Sequence, residues 1–338
     1  MKIGNFEIGK KTFVIAEIGS NHNGNLEIAK KLVILAKESG ADAVKFQTYN
    51  AKKYIDKSVL PMAHVRGKYK SQQERFQSLQ FTPEQWDSLI RHAREEGLIF
   101  LSTPADFDSV DLLDKYVPAF KIQSGDVTNI LLIRHIVQKG KPIIMSVGMA
   151  DESEIEAAVQ EIPRDKLILL HCVSIYPTPA DKVSLYSLLY LREKFNVPVG
   201  YSDHTMNSLA CLSAVALGAV VIERHFTNDK DQPIGDHKFS ADPAEFKEMA
   251  RNIREIETMR GGFSTRLTEP ELNMRYAMRR GLSLTRDVPA GTVVTEELLL
   301  PLRPEKGISA SRVDFVVGKR INKDLKKGHF ISEDDIMQ

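Results

Sequence analysis

The sequence predicts an α/β protein, a (β/α)8 barrel followed by a small β-rich domain, and three observations carry that reading. Short apolar runs rich in β-branched residues alternate with longer segments of helical period, as buried parallel strands and their crossover helices do. Eight such strand–helix units spread over roughly 250 residues are what a barrel of this kind requires. Past residue 280 the pattern breaks into short strands and Gly/Pro turns (VPAG, RPEKG, KKG).

The expected strands are, in order, FVIAEIG (13–19), AVKFQT (43–48), LIFLST (98–103), AFKIQS (119–124), PIIMSV (142–147), LILLHC (167–172), VPVGYS (197–202) and AVVIERH (219–225). Helices fit between them. LEIAKKLVILAKESG repeats its apolar residues at three and four and stops at Gly40, while TPEQWDSLIRHAREEG has a Thr82 cap, Pro83 in its first turn and Gly97 at its end. The connection from 49 to 81 is long for a βα loop, a length that marks functional or disordered segments. The expected boundaries are a barrel over 1–262, a polar linker without core period over 263–280, and a compact domain over 281–338. Inside that last domain TRDVPAGTVVTEELL is echoed by NKDLKKGHFISEDDI.

Composition excludes several function classes. A chain of 338 residues, 42% hydrophobic and 27% charged, can bury one large core and a smaller one. Its 46 Lys and Arg against 45 Asp and Glu leave no charge excess to recruit nucleic acid or an acidic membrane surface. Cys172 and Cys211, both in apolar sequence, form neither a disulfide framework nor a metal knuckle, which fits a reducing compartment. The N-terminus lacks an apolar signal core, and the longest apolar stretch, LACLSAVALGAVVI (209–222), is too short to span a bilayer. A cytoplasmic protein is expected.

In a barrel the C-terminal strand ends meet at one mouth, and here nearly every end is polar. In order they offer Glu17; Lys45 and Gln47; Thr103; Lys121 and Ser124; Ser146; His171 with Ser174; Ser202 with His204; and Glu223 with His225. Two lysines and a ring of hydroxyls suit a phosphate or a phosphate plus carboxylate, because ammonium groups supply charge and hydroxyls and loop amides supply direction. Two histidines on adjacent strands beside carboxylates suit a divalent metal with open positions. Blander roles compete: a lone Lys or Ser caps or is solvated, His171 packs, and Lys45 or Lys121 could serve as a Schiff-base lysine. Strand alternation turns Asp203 away from its neighbours, so it is expected to orient a histidine or cap the following helix.

Taken together, IAEIGSNHNGNLEIAKKLVILAKESGADAVKFQT, LSTPADF, KIQSGDVTN, KPIIMSVGM, LLHCVSIYPTP, GYSDHT, IERHFT, DHKFS, RRGLSLTRDVPAG, LRPEKGIS and GKRINKDLKKG resemble the sialic acid synthase family across practically the whole chain. The resemblance implies a barrel followed by an antifreeze-like (SAF) domain, in a domain-swapped homodimer whose small domain covers the partner's mouth. It implies condensation of phosphoenolpyruvate with an N-acylated hexose, N-acetylmannosamine or a 2,4-diacetamido relative, giving a nonulosonic acid and phosphate. Carried over by motif, Lys45, Thr103, Lys121, Ser124, Ser146, Ser174 and Ser202 would hold phosphoenolpyruvate. Gln47, Asp126, Tyr176 and Asp236 would face the sugar, with Arg303 reaching the acyl group in the partner's site. His204 and His225 would bind Mn²⁺, with Mg²⁺ or Co²⁺ as alternatives; Glu17 would handle the water proton, and Glu223 or Asp236 would support it. RPEKG, PIGDHK and TNILLI depart from the family pattern in loops toward the sugar, which leaves the acceptor open. A metal-dependent barrel hydrolase of a phosphorylated or acylated sugar is the alternative reading, and ice binding is disfavoured for the charged C-terminal domain.

Overall fold

The computed structural model describes residues 1–60, 68–233, 235–262 and 265–337. The middle of the long connection (61–67), the start of the expected linker (263–264), residue 234 and the last residue of the expected small domain lie outside the described residues. The chain divides into two units, Met1–Gly261 and Gly262–Gln338.

The first unit opens on a hairpin, β1 (Lys2–Ile3) and β2 (Phe6–Glu7). Eight parallel strands follow: β3 (Phe13–Gly19), β4 (Ala43–Thr48), β5 (Ile99–Pro104), β6 (Phe120–Ile122), β7 (Ile143–Ser146), β8 (Leu167–Cys172), β9 (Val199–Asp203) and β10 (Val221–His225). Their hydrogen-bonded order is β5-β4-β3-β10-β9-β8-β7-β6, and β5 and β6 run alongside each other to close the ring. The helices are α1 (Leu26–Glu38), α2 (Ala51–Tyr54), α3 (Gln72–Leu79), α4 (Pro83–Glu95), α5 (Phe107–Asp114), α6 (Ile130–Val137), α7 (Glu152–Gln160), α8 (Tyr186–Phe195), α9 (Leu209–Ala216) and α10 (Pro243–Arg260). Of these, α1 ends against Gly40 and α4 starts on a Thr82–Gln85 capping box with Pro83 in the first turn, as the sequence signals ask.

Strand alternation sorts the barrel interior into layers. Phe13 and Ile15, Ala43, Leu101, Ala119, Ile144, Ile168 and Val221 form an apolar inner cluster, and the hairpin closes its lower end with Ile3. One or two steps further along the same strand faces come Glu17, Lys45, Thr103, Lys121, Ser146, Ser202 and Glu223, all buried. Gly200 sits among the inward positions because a side chain has no room there: a Cβ would stand 2.4 Å from the Val221 carbonyl. The opposite face packs on the helices through Val14, Ala16, Ile18, Val44 and Phe46. His171 belongs to that outer face and bonds the Val183 carbonyl through Nε2 at 2.7 Å, a packing role.

In the second unit the expected linker carries a helix, α11 (Glu269–Met278), opened by a Thr268–Glu271 capping box and with no buried residue. Beyond it lie β11 (Gly281–Leu284), β12 (Leu299–Leu302) and the short α12 (Val313–Val316). The sequence echo becomes a pseudo-two-fold. Val288 and Leu325 exchange both backbone bonds, and the Asp287 side chain accepts from Lys327 N while Asp324 accepts from Ala290 N. One small core of Leu282, Leu284, Val288, Val294, Ile321 and Ile331 serves both halves.

Candidate active site

Two buried lysines and two buried carboxylates occupy the polar layer at the barrel mouth. Lys45 Nζ lies 2.7 Å from Glu17 Oε2, 3.1 Å from Thr103 Oγ1 and 3.7 Å from Glu223 Oε1. Lys121 Nζ donates to Ser146 Oγ at 2.7 Å and stands 3.9 Å from Glu223 Oε1. Ser202 donates to the same Glu223 oxygen at 3.0 Å, and Gln47 Nε2 to Glu17 Oε1 at 3.3 Å. Each charge is therefore compensated before a ligand arrives, in a setting where water screens little.

The four groups do not titrate alike. Burial raises the Glu17 carboxyl to about 7, with Glu223 adding to the rise and Lys45 opposing it. Burial also works upward on Glu223, but Lys121 and Lys45 outweigh it and hold that carboxyl below its ordinary value. Burial lowers Lys121, whereas at Lys45 the carboxylates Glu17 and Glu223 overcome burial and raise it. Glu17 is thus the member able to exchange a proton near neutrality.

Two imidazoles flank this cluster. The His204 and His225 rings stand 5.5 Å apart, with the Phe239 ring 5.1 Å from His225 and the Tyr176 ring 4.3 Å from His204. Burial holds both below the ordinary histidine value, so both are neutral at pH 7. His204 Nδ1 lies 2.9 Å from the Val173 carbonyl, which only accepts; Nδ1 carries the hydrogen and Nε2 keeps a lone pair. His225 Nδ1 is buried without a hydrogen bond, 3.7 Å from Asp236 Oδ2. Among the described residues no group of three or more His, Cys, Asp or Glu closes a metal cage. Two neutral imidazoles, one with an orphaned nitrogen, fit a divalent ion that leaves most of its positions to substrate and water.

A cavity of about 380 Å³ gathers Glu17, Lys45, Gln47, Thr103, Lys121, Ser124, Ser146, Tyr176, Ser202, His204, Glu223 and His225, twelve of the residues expected from sequence. Asp236 adjoins it through His225, and Asp126 through Gln123, whose Nε2 donates to Asp126 Oδ2 at 2.7 Å. Ser174 lines a neighbouring cavity instead, with Cys172 and Met149 shared between the two. Arg303 belongs to the second unit, exposed just past β12.

Sequence reasoning missed Tyr54, Gln123 and Phe239. The length of the 49–81 connection could have flagged Tyr54, whose hydroxyl Gln123 reaches at 3.4 Å. It also missed how Asp236 is placed: its N–H donates to Asn21 Oδ1 at 3.0 Å, and Asn21 Nδ2 donates to Ser240 Oγ and the Phe226 carbonyl. Next to Asn21, His22 packs between Phe46 and Phe81, and burial lowers it to about 4. The NHNG stretch is therefore a clamp, not a base.

The NeuB family profile matches residues 32–265 and the SAF domain profile residues 279–337. An N,N'-diacetyllegionaminic acid synthase of Legionella pneumophila is 40% identical, over 94% of this chain and 92% of its own. A protein of the same name from Campylobacter jejuni is also 40% identical, over 96% of this chain and all of its own. The crystal structure of a sialic acid synthetase from Leptospira borgpetersenii, in complex with citrate, superposes with a TM-score of 0.72 at 30% identity, over 81% of this chain and 94% of that one. The hydrolase alternative finds no support among these relatives.

Proposed function

The chain belongs to the NeuB family, and on that footing we propose that it is a condensing synthase joining phosphoenolpyruvate to an N-acylated hexose, with a nonulosonic acid and phosphate as products. The observation that carries this reading is the pair of buried lysines set against buried carboxylates and hydroxyls beside two neutral imidazoles. A multiply charged anion belongs where two desolvated ammonium groups and three hydroxyls converge. The relatives' names favour a diacetamido sugar as acceptor.

In the reaction, C3 of phosphoenolpyruvate bonds to the aldehyde carbon of the open-chain sugar, whose oxygen becomes a hydroxyl. Water adds at C2, and the C–O bond to phosphate breaks. Lys45, Lys121, Thr103, Ser124, Ser146 and Ser202 hold the phosphoenolpyruvate, with Ser174 at the edge, and fix C2 and C3 against the sugar. Gln47, Asp126, Tyr176 and Asp236 line the acceptor side. His204 and His225 would hold a divalent ion, with Mn²⁺ preferred over Mg²⁺ or Co²⁺, and such an ion supplies Lewis-acid polarisation of the aldehyde. Glu17, poised near neutrality, takes the proton from the water that adds at C2. Glu223 stays ionised between the lysines, and its negative charge stabilises cationic character at C2.

The active form is a domain-swapped dimer in which the 281–338 domain covers the partner's mouth and Arg303 meets the acceptor's acyl group. Support comes from α11, which has no buried residue and exposes Leu272, Met274, Tyr276 and Met278, apolar side chains that a second chain could cover. Among the described residues no helix is long and apolar enough to cross a membrane, and both cysteines are free and buried, which fits the expected cytoplasmic setting.

The test is phosphate release from phosphoenolpyruvate with Mn²⁺ and either N-acetylmannosamine or a 2,4-diacetamido-trideoxyhexose. Release should require both substrates, and release from phosphoenolpyruvate alone would overturn condensation. His204→Ala and His225→Ala should each weaken Mn²⁺ binding by about tenfold or more, read by Mn²⁺ electron spin resonance without turnover. Unchanged binding would remove that residue from the site.

A further inference from the structure

The mouth is small for what the reaction brings to it. Its cavity of about 380 Å³ lies near the lower end of the roughly 300–1,000 Å³ that one small ligand takes, yet two molecules must meet there. Beside it, between the loops after β7 and β8 and the helices α7 and α8, lies a second cavity of about 440 Å³, and Met149 and Cys172 line both. Gly148 borders the seam. A Cβ at that position would stand 2.6 Å from Ser174 Oγ and 2.7 Å from Cys172 Sγ, so any side chain there would fill the passage between the two cavities. The next residue, Met149, holds a left-handed φ of +63° and is 72% exposed, a costly backbone placement of the kind that collects at ligand sites.

The walls of the side cavity suit a neutral group. Val147, Ile155, Leu191 and Phe195, all buried, make its apolar lining. Its one carboxylate, Glu152, is taken by Lys194 and the Tyr190 hydroxyl, and burial lowers His171, which stays neutral at pH 7. Among the described residues no Lys or Arg lines it, so a phosphate or carboxylate would find no counter-charge. At the seam, Ser174 Oγ is buried without a formed hydrogen bond, close enough for the Tyr176 phenol to feel it. A buried hydroxyl in that state is costly until a partner arrives. The amide of a short acyl chain matches these features together: its carbonyl accepts from the hydroxyl, and its alkyl end lies against the apolar walls.

We propose that the side cavity is the pocket for a second N-acyl group of the acceptor, the one at C4 of a 2,4-diacetamido sugar, with Ser174 donating to its carbonyl; this rests on the condensing reading above, in which Arg303 is assigned to the other acyl group. A cavity of about 440 Å³ exceeds what an acetyl group fills, so it admits longer acyl chains on the same nitrogen. A sugar with a hydroxyl at C4 leaves it empty.

The experiment compares acceptor KM for 2-acetamido-2,6-dideoxymannose, which has a hydroxyl at C4, with its 4-acetamido-4-deoxy and 4-butanamido-4-deoxy counterparts. In wild type the 4-acetamido sugar should have a KM lower by about tenfold or more than the 4-hydroxy sugar, the worth of a small group in an apolar pocket, and the 4-butanamido sugar should do at least as well. Ser187, on the α8 wall, is far from charge and from the strand ends, so Ser187→Phe fills the cavity without touching the mouth. It should raise the KM of both acylamino acceptors by about tenfold and leave those of phosphoenolpyruvate and the 4-hydroxy acceptor within about twofold. Ala150→Leu, which fills the cavity from the α7 side, should do the same. Equal KM for the hydroxy and acetamido sugars in wild type, rejection of the butanamido sugar, or equal effects of the filling variants on all three acceptors overturns the pocket. A second measurement stands apart from turnover, using the alditols of the same sugars, which have no aldehyde and cannot condense. With phosphoenolpyruvate saturating, calorimetry should show the 4-acetamido alditol binding wild type about tenfold tighter than the 4-hydroxy alditol, and the filled variants binding the two alike. Equal binding in wild type overturns the pocket even where condensation is seen; a preference that persists while no acceptor condenses upholds the pocket and sinks the condensing reading instead.

Discussion

Glu17 and Glu223 are the same residue type in the same layer, both buried and both near Lys45, yet one is raised to about 7 and the other held below the ordinary carboxyl value. The difference is the second lysine: Lys121 pulls hardest on Glu223, while Glu17 has one close cation and a carboxylate neighbour. If Glu17 accepts the water proton, it must be ionised to work. The rate kcat/KM should then climb as pH rises through about 7 and level off above it. Glu17→Gln should remove that rising limb and lower the rate by about 10²- to 10⁴-fold, the usual worth of a general base. A limb that survives in Glu17→Gln would assign the titration to another group. Sequence position could nominate both carboxylates, because both end strands of the expected barrel. It could not rank them, since the ranking depends on distances to lysines brought in from other strands.

At the scale of elements, β9 and β10 each turn one charged residue outward directly beside a histidine: Asp203 next to His204, and Arg224 next to His225. The two pair with each other, each at most 2% exposed. Arg224 also donates to the Asn207 and Thr205 carbonyls, while Asp203 accepts from Thr205 N and Tyr201 Oη and meets Cys211 on α9. The pair therefore pins the loop after β9 to the neighbouring strand. Arg224→Met should cost about 3–5 kcal/mol in urea unfolding, because it strands a buried carboxylate, and Asp203→Asn added to it should recover part of that loss. Additive losses would mean the two act separately. The alternation rule foresaw that Asp203 would turn away from substrate, but its partner was invisible, because an Arg inside an apolar strand gives no sign of which neighbour it will meet. The eight strands themselves were legible to within about two residues, the usual uncertainty of boundaries, since their β-branched runs have no competing reading. The N-terminal hairpin and α11 were not: two-residue strands carry no period, and a helix with no buried face has no apolar stripe to find.

At the scale of the whole molecule, the chain is two units, and each builds its core from its own residues. The change of composition marked the second unit in the sequence, whereas the two-fold behind its internal echo shows only in the paired backbone and Asp contacts. The resemblance implies a lid over the partner's mouth, but the residues themselves do not distinguish it from a lid over the same chain, because a cis and a trans lid use identical residues. Mixing decides it. Lys121→Ala should spoil the mouth and Arg303→Ala the lid, so each homodimer should be nearly inactive alone. In a swapped dimer, a mixed pair has one site made of an intact mouth from the Arg303→Ala chain and an intact lid from the Lys121→Ala chain. Its other site carries both lesions. Random re-association of equal amounts should therefore restore about a quarter of wild-type activity, since half the dimers are mixed and half their sites are whole. If each lid covers its own barrel, every site in the mixture keeps one lesion and no activity returns.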